Sequence, residues 1–230
     1  MNDRHIDEVL QQAAQAPDRI EPALLQRIAG SLQPSLHPVR PLPRTWVLVS
    51  RLLLVAAGIA LAGAFRAGFN GYAKMDKSAR VLVFITLACF AFAAGTEFVN
   101  SVIPGSRRRV TPGNLLLIGG LVLLGVFALL FRDYHTVHFW SAGFVCLVTG
   151  ILHAVPVGLI GWFLLRRGVA LNRVAAGFAA GAFAGLAGIA VLELHCENFQ
   201  AFHILIWHTA VIPVSAVIGA LIARVLPRSA

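Results

Sequence analysis

Cysteine and histidine side chains that could bind a metal ion lie among long apolar segments in the second half of the chain. Imidazole, thiolate and carboxylate groups are the usual ligands of zinc and copper-type ions, and thiolates favour soft metals. Ionisable side chains inside apolar segments are costly, so they are functional candidates. The residues that we predict to sense a metal ion or an oxidant are Cys146, Cys196, His138, His153, His195, His203 and His208.

The depth of these residues in a membrane follows from their distance to the segment ends. Cys146 lies seven residues into an apolar segment that begins at Phe139, which corresponds to about 10 Å of helix. Cys196 and His203 are expected near the membrane surface, and His208 about one and a half turns below it. No HExxH or CxxC motif is present. A purely structural role, with histidines bound to loop carbonyls and cysteines packed as small apolar residues, therefore stays open.

The composition assigns the chain to the membrane proteins. Of its 230 residues, 58% are hydrophobic and 13% are charged, and the mean hydropathy is +0.78. Charged residues make up roughly 25% of a soluble domain. These values exclude an ordinary soluble enzyme, a disordered chain and a nucleic-acid-binding domain, although the net charge is +9. We expect neither enzymatic activity nor direct contact with nucleic acid.

Six apolar segments are long enough to cross the roughly 30 Å hydrocarbon core of a bilayer as helices. Short connections join them, so we predict an all-α membrane protein with a bundle of six transmembrane helices. Residues 1–44 form a separate N-terminal arm, and residues 45–230 form the transmembrane domain. The predicted spans are Trp46–Phe65, Val81–Ile103, Asn114–Phe131, Phe139–Leu165, Val174–Leu194 and His203–Leu226.

The distribution of arginine and lysine predicts the orientation of the bundle. Arg51 lies within the first span. If the N-terminus is on the cytoplasmic side, only five basic residues lie in the loops on the outer side. Those five are Arg66, Lys74, Lys77, Arg80 and Arg132. Because cytoplasmic loops carry the excess of Lys and Arg, we expect both termini to be cytoplasmic. The cysteines and most of the histidines named above then lie toward the outer face.

The arm is predicted to contain two short amphipathic helices and a proline-rich connector. The second helix carries an apolar stripe made of Leu24, Leu25, Ile28 and Leu32. Such short helices are marginal in water, so the stripe needs a surface to pack on. Acidic and basic charges nearly cancel in the arm, which favours the groove of a partner protein over anionic lipid. A loosely packed tail without a partner stays open.

Two further features concern contacts between helices. Gly177, Gly181 and Gly185 recur at every fourth residue of the fifth span, a pattern that lets helices approach closely in lipid. We expect packing there, and a homodimer through this face stays open. Arg51 and Glu97 lie at similar depth on the first and second spans, and we predict a partly buried structural ion pair between them.

Three segments carry a resemblance to a known family. They are LHPVRPLP at residues 36–43, FVCL at residues 144–147 and LHC at residues 194–196. Together with the six spans, they resemble the negative regulators of sigma F, the NrsF family. The resemblance implies a bacterial inner-membrane anti-sigma factor. Such a protein holds an extracytoplasmic-function sigma factor through its cytosolic arm and releases it on a signal, with metal stress as the implied trigger.

The resemblance also assigns roles to residues. The paired functional cysteines of the family correspond to Cys146 and Cys196, and the sigma-binding segment corresponds to the arm. The sensed species would be a transiently bound transition-metal ion or an oxidant. A disulfide requires Cα atoms within about 7 Å of each other, whereas a bridging metal tolerates a larger separation, and both stay open. The alternative function is a metal- or haem-binding redox or transport protein of the membrane, with His153 and His208 as axial ligands.

Overall fold

The computed structural model of the chain describes residues 22–32, 43–106, 110–165 and 170–225. The chain divides into two compact units, Met1–Pro41 and Leu42–Ala230. In the first unit the structure describes one helix, α1 (Pro22–Leu32). Leu25 and Ile28 are exposed on α1. The side chains of the other two stripe residues, Leu24 and Leu32, lie outside the described residues.

Six helical segments of the second unit are long and apolar enough to cross a membrane. A short helix, α3, lies between the first two, and the last segment ends as α8. The helices are α2 (Thr45–Ala67), α3 (Asn70–Lys74), α4 (Lys77–Val102), α5 (Pro112–Leu130), α6 (Phe139–Leu165), α7 (Arg173–His195) and α8 (Thr209–Val225). The prediction of six spans is confirmed, and each observed end lies within about one turn of the predicted one.

Capping residues mark where two of these helices begin. The hydroxyl of Thr111 accepts a hydrogen bond from the backbone N–H of Asn114 (3.2 Å), and Pro112 occupies the first turn of α5. Oδ1 of Asn172 accepts a hydrogen bond from the backbone N–H of Ala175 (3.0 Å) at the start of α7. These caps satisfy N–H groups that have no partner within the helix. They fix the starts of α5 and α7 next to the connecting loops.

Helix α7 lies at the centre of the bundle. It packs against α2, α4, α6 and α8, and most of it is buried. Gly177, Gly181 and Gly185 face α8 so closely that an added Cβ would collide with the backbone of that helix. Gly188 gives the same close approach to Gly150 of α6. The small residues of α7 therefore allow two neighbouring helices to pack onto it within one chain.

Basic residues at the connection between α2 and α4 make specific polar contacts. Arg80 donates hydrogen bonds to the carbonyls of Met75 (2.7 Å) and Ala73 (2.8 Å). Lys74, the last residue of α3, forms an ion pair with Glu197. Two of the five basic residues that the sequence predicts in outer loops thus have partners. Arg80 bonds to carbonyls in this connection, and Lys74 pairs with a residue that follows α7. Helix α3 itself was not predicted from the sequence.

The sixth span begins with a π-helical turn, His203–His208, and then continues as α8. In an α-helix, residues five apart point about 140° away from each other. In a π-turn the hydrogen bonds run between residues five apart and bring them onto the same side. The ring centroids of His203 and His208 accordingly lie 5.1 Å apart. The apolar pattern predicted the span but gave no sign of this turn.

Candidate metal centre

Four side chains converge at the end of the bundle where α6 and the π-turn begin and α7 ends. They are Cys146, Cys196, His203 and His208. One ligand atom from each lies within 4.8 Å of the others. The two sulfur atoms are 3.7 Å apart, and Cys196 Sγ lies 3.5 Å from His203 Nε2. We call this group the Cys2His2 centre.

Two of the distances between these atoms match the edges of a tetrahedral metal site. With Zn–S bonds of about 2.3 Å and Zn–N bonds of about 2.0 Å, two thiolates on a tetrahedron lie about 3.8 Å apart. A thiolate and an imidazole nitrogen lie about 3.5 Å apart on the same tetrahedron. The observed distances of 3.7 Å and 3.5 Å are close to these edges. Two cysteines and two histidines are also a common zinc ligand set, so the residues present fit such an ion.

The two thiols are closer to each other than their positions in the sequence predicted. Cys146 was expected two turns deep and Cys196 at the rim. The backbone N–H of Cys196 instead continues the last turn of α7 by donating to the carbonyl of Leu192 (2.7 Å). The Cys196 side chain therefore stays within the bundle, where it is partly buried and reaches Cys146. No disulfide joins the two sulfur atoms, and their contact is compatible with either a shared metal ion or oxidation to a disulfide.

The two thiols are within hydrogen-bonding distance of each other, and either sulfur can be the donor. This contact, together with burial, raises the pKa of the Cys196 thiol above its ordinary value. Because the thiolate is the metal ligand, a metal ion would displace the protons of both thiols.

His208 is paired with a buried carboxylate. Its Nδ1 lies 2.7 Å from Glu193 Oε1, and the side chains of both residues are 1% exposed. The Nε2 atom of His208 is buried and has no hydrogen-bond partner among the residues that the structure describes. A buried imidazole nitrogen without a partner, beside two thiols, is a ready metal ligand.

Helix α3 covers the end of α7 that carries the centre. At Gly71 an added Cβ would collide with the backbone of Glu193 and Cys196. The ion pair between Lys74 and Glu197 joins α3 to the residues after α7, and it lowers the pKa of the Glu197 carboxyl. Helix α3 and this ion pair therefore lie against the C-terminal end of α7, next to the centre.

Aromatic side chains cluster at the same end of the bundle. Phe139, Trp140 and Trp207 pack against one another with ring centroids 5.3 to 5.6 Å apart. Gly143 makes room for the Trp207 indole, since a Cβ there would collide with it. Trp140 is 75% exposed. Tryptophan is enriched where membrane meets water, so this cluster indicates a centre close to one membrane surface.

The other three predicted sensing residues lie outside the Cys2His2 centre. His138 is exposed, with a left-handed backbone φ of +54°. His153 points its Nδ1 at the carbonyl of Thr149 one turn back on α6 (2.8 Å). His195 ends α7 and is half-buried. The structure thus brings together four of the seven predicted residues.

Three further residues lie elsewhere in the bundle. The side chain of Cys89 is exposed on α4. Arg51 is exposed on α2, whereas Glu97 is buried on α4. The ion pair between Arg51 and Glu97 stays a prediction.

The structure adds Glu193 to the site. The sequence shows this residue three positions before Cys196, which is one turn of helix. A carboxylate inside an apolar span was the signal that could have identified it. Its partner could not be predicted, because the pairing depends on how α7 packs against the π-turn.

The comparison with known proteins concerns almost the whole chain. The sequence model of NrsF, described as negative regulator of sigma F, matches residues 32–228. The chain belongs to the NrsF family. The suspected resemblance is therefore confirmed, and the family description implies a sigma factor as the partner. The match includes the six spans and the Cys2His2 centre but leaves out most of α1. No curated protein and no solved structure matches the chain.

Proposed function

We propose that this chain is an anti-sigma factor of the bacterial inner membrane that sequesters an extracytoplasmic-function sigma factor and catalyses no reaction. The observation that carries the proposal is the match of residues 32–228 to the negative regulators of sigma F. Six apolar helices support the membrane setting. The excess of basic residues on the side of the N-terminus supports a cytoplasmic arm.

The sigma factor binds the apolar stripe of α1. Leu25 is 51% exposed and Ile28 is 46% exposed, and an amphipathic helix with such a face commonly lies in a groove of its partner. The family match begins at residue 32. This part of the proposal therefore rests on the pattern and exposure of α1 itself.

The Cys2His2 centre receives the signal, which is a soft or borderline metal ion or an oxidant. Four ligand atoms within 4.8 Å support this role. A metal ion can release the sigma factor only if it binds the releasing state more tightly. A shift from 99% of the sigma-bound state to 99% of the releasing state requires a difference of about 5.5 kcal/mol in metal-binding free energy between the two states. Several metal–ligand bonds can supply this difference.

The route from the centre to the arm runs through α7 and α2. Ala60 and Ala64 of α2 form a small buried cluster with Val191 and Leu194 of α7. This cluster lies within one turn of Glu193 along α7. A shift of the end of α7 would therefore move α2, whose N-terminal end leads into the arm.

Co-purification tests the anti-sigma function. The full chain, with a C-terminal tag, is solubilised from its native membrane and its bound proteins are identified. We expect a sigma factor in the parent sample. Its recovery should fall at least tenfold with Leu25→Asp and Ile28→Asp combined, because two charges on the stripe cannot enter an apolar groove.

A matched control places the same two charges on the other side of α1. The double variant Gln26→Asp, Gly30→Asp changes exposed residues off the stripe, and it should retain the sigma factor. Equal recovery with both double variants would overturn the proposed contact surface. Absence of any sigma factor from the parent sample would overturn the anti-sigma function.

A further inference from the structure

Glu193 is a buried carboxylate that the proposed function does not use. It is 2% exposed on the most buried helix of the bundle. Its Oε1 lies 2.7 Å from His208 Nδ1. An acidic group in this position is costly unless it is paired, so its contact with His208 requires an explanation.

The contact determines which nitrogen of His208 faces the centre. An ionised carboxylate accepts a hydrogen bond only from a protonated nitrogen, so pairing with ionised Glu193 puts a proton on Nδ1. In the neutral ring the lone pair is then on Nε2. The Nε2 atom is the buried nitrogen without a hydrogen-bond partner among the described residues. Glu193 thus selects the tautomer that a metal ion requires and fixes the plane of the ring.

The second histidine of the centre has no comparable support. His203 directs Nε2 toward Cys196 Sγ (3.5 Å), and its Nδ1 is buried without a partner in the described part of the chain. The two imidazoles therefore differ in how firmly they are held. Metal-binding histidines commonly donate their second N–H to a carboxylate, and loss of that carboxylate weakens metal binding by roughly 10- to 100-fold.

We propose that Glu193 is a positioning residue of the Cys2His2 centre, which holds His208 with Nε2 directed at a bound tetrahedral metal ion. The inference deepens the proposed function and rests on its metal-sensing part. Glu193 does not itself bind the ion. Its contribution passes entirely through His208, because the two side chains are in direct contact.

Titration with Co²⁺ tests this role on the purified full chain in detergent with reduced thiols. Tetrahedral Co²⁺ bound to thiolates has characteristic visible absorption bands. We expect Glu193→Ala to weaken Co²⁺ binding roughly 10- to 100-fold. The bands of this variant should shift toward those of His208→Ala. The conservative variant Glu193→Gln keeps an acceptor for Nδ1 and should lose less affinity.

A double-mutant cycle separates positioning from a general structural role. If Glu193 acts through His208, the variant Glu193→Ala, His208→Ala binds Co²⁺ as tightly as His208→Ala alone. The proposal would be overturned if the double variant lost as much Co²⁺-binding free energy as the two single variants together. His153→Ala, on α6 and outside the centre, is the matched control and should bind like the parent. If Glu193→Ala does not fold, Glu193→Gln replaces it, and its smaller loss must vanish in the His208→Ala background.

Two failures are distinguishable in this experiment. If the parent binds Co²⁺ and every Glu193 variant binds equally well, only the positioning role is wrong. If the parent shows no thiolate-bound Co²⁺, both the positioning role and the metal-sensing part of the proposed function are wrong. The capture of a sigma factor by α1 is measured without metal and is unaffected by either result.

Discussion

At the scale of residues, the three cysteines of the chain differ in their surroundings. Cys146 and Cys196 lie 3.7 Å apart beside two histidines. Cys89 is exposed on α4 and does not belong to this group. A thiol with a second thiol and imidazoles nearby can bind a metal ion, whereas an isolated thiol on an apolar face cannot do so alone. The chain therefore provides its own control for thiol chemistry.

Release of the sigma factor should depend on Cys146 and Cys196 but not on Cys89. The full chain is immobilised with its sigma factor, Zn²⁺ is added, and the released sigma factor is quantified. We expect release from the parent and from Cys89→Ala. The double variant Cys146→Ala, Cys196→Ala should release less than a tenth as much, because it lacks both thiolate ligands. Parent-like release from the double variant would contradict sensing at this centre.

At the scale of elements, glycines determine how α7 meets its neighbours. An added Cβ at Gly181 would meet the Ser215 carbonyl and the Ala216 Cα of α8, whereas one at Gly125 of α5 would meet nothing within 4 Å. Both glycines lie within apolar helices. The two positions therefore separate the effect of packing from the general effect of adding a methyl group to a helix.

Gly181→Ala should destabilise the bundle, and Gly125→Ala should not. We expect Gly181→Ala to cost about 1–3 kcal/mol, because the helix backbones must move apart. Gly125→Ala should be neutral or stabilise by up to about 1 kcal/mol, because alanine favours the helix more than glycine does. Thermal unfolding of the two variants in the same detergent measures the difference. Equal melting temperatures would show that α7 and α8 do not pack through this face.

The elements also show which features the sequence could predict. Segment length and apolar composition were sufficient for the six spans, because the bilayer sets a fixed helix length. Small residues at every fourth position indicated the close approach of α7 to a neighbour. The π-turn at His203–His208 and the short helix α3 depend on contacts between distant segments. No local pattern marks them, so the burial of His203 and its contact with Cys196 were not predictable.

At the scale of the whole molecule, the two ends of the bundle differ in chemistry. One end carries the Cys2His2 centre, helix α3 and the aromatic cluster. Helix α2 begins at the other end. Each span is 19 or more residues long, which corresponds to about 29 Å or more. The centre and the start of α2 therefore lie at opposite ends of these helices. Under the proposed function, the N-terminal arm is cytoplasmic and the centre faces the envelope.

Labelling with a membrane-impermeant thiol reagent tests this orientation. In a chain whose native cysteines are replaced by alanine, Thr136→Cys introduces an exposed thiol before α6, near the centre. Gly113→Cys introduces one at the opposite end, at the start of α5, where a side chain has open space. Because basic residues concentrate on the side of the N-terminus, intact spheroplasts should label Thr136→Cys only. Gly113→Cys should react once the membrane is permeabilised. The reverse pattern would place the centre in the cytoplasm, where it would sense the metal or redox state of the cell interior instead of the envelope.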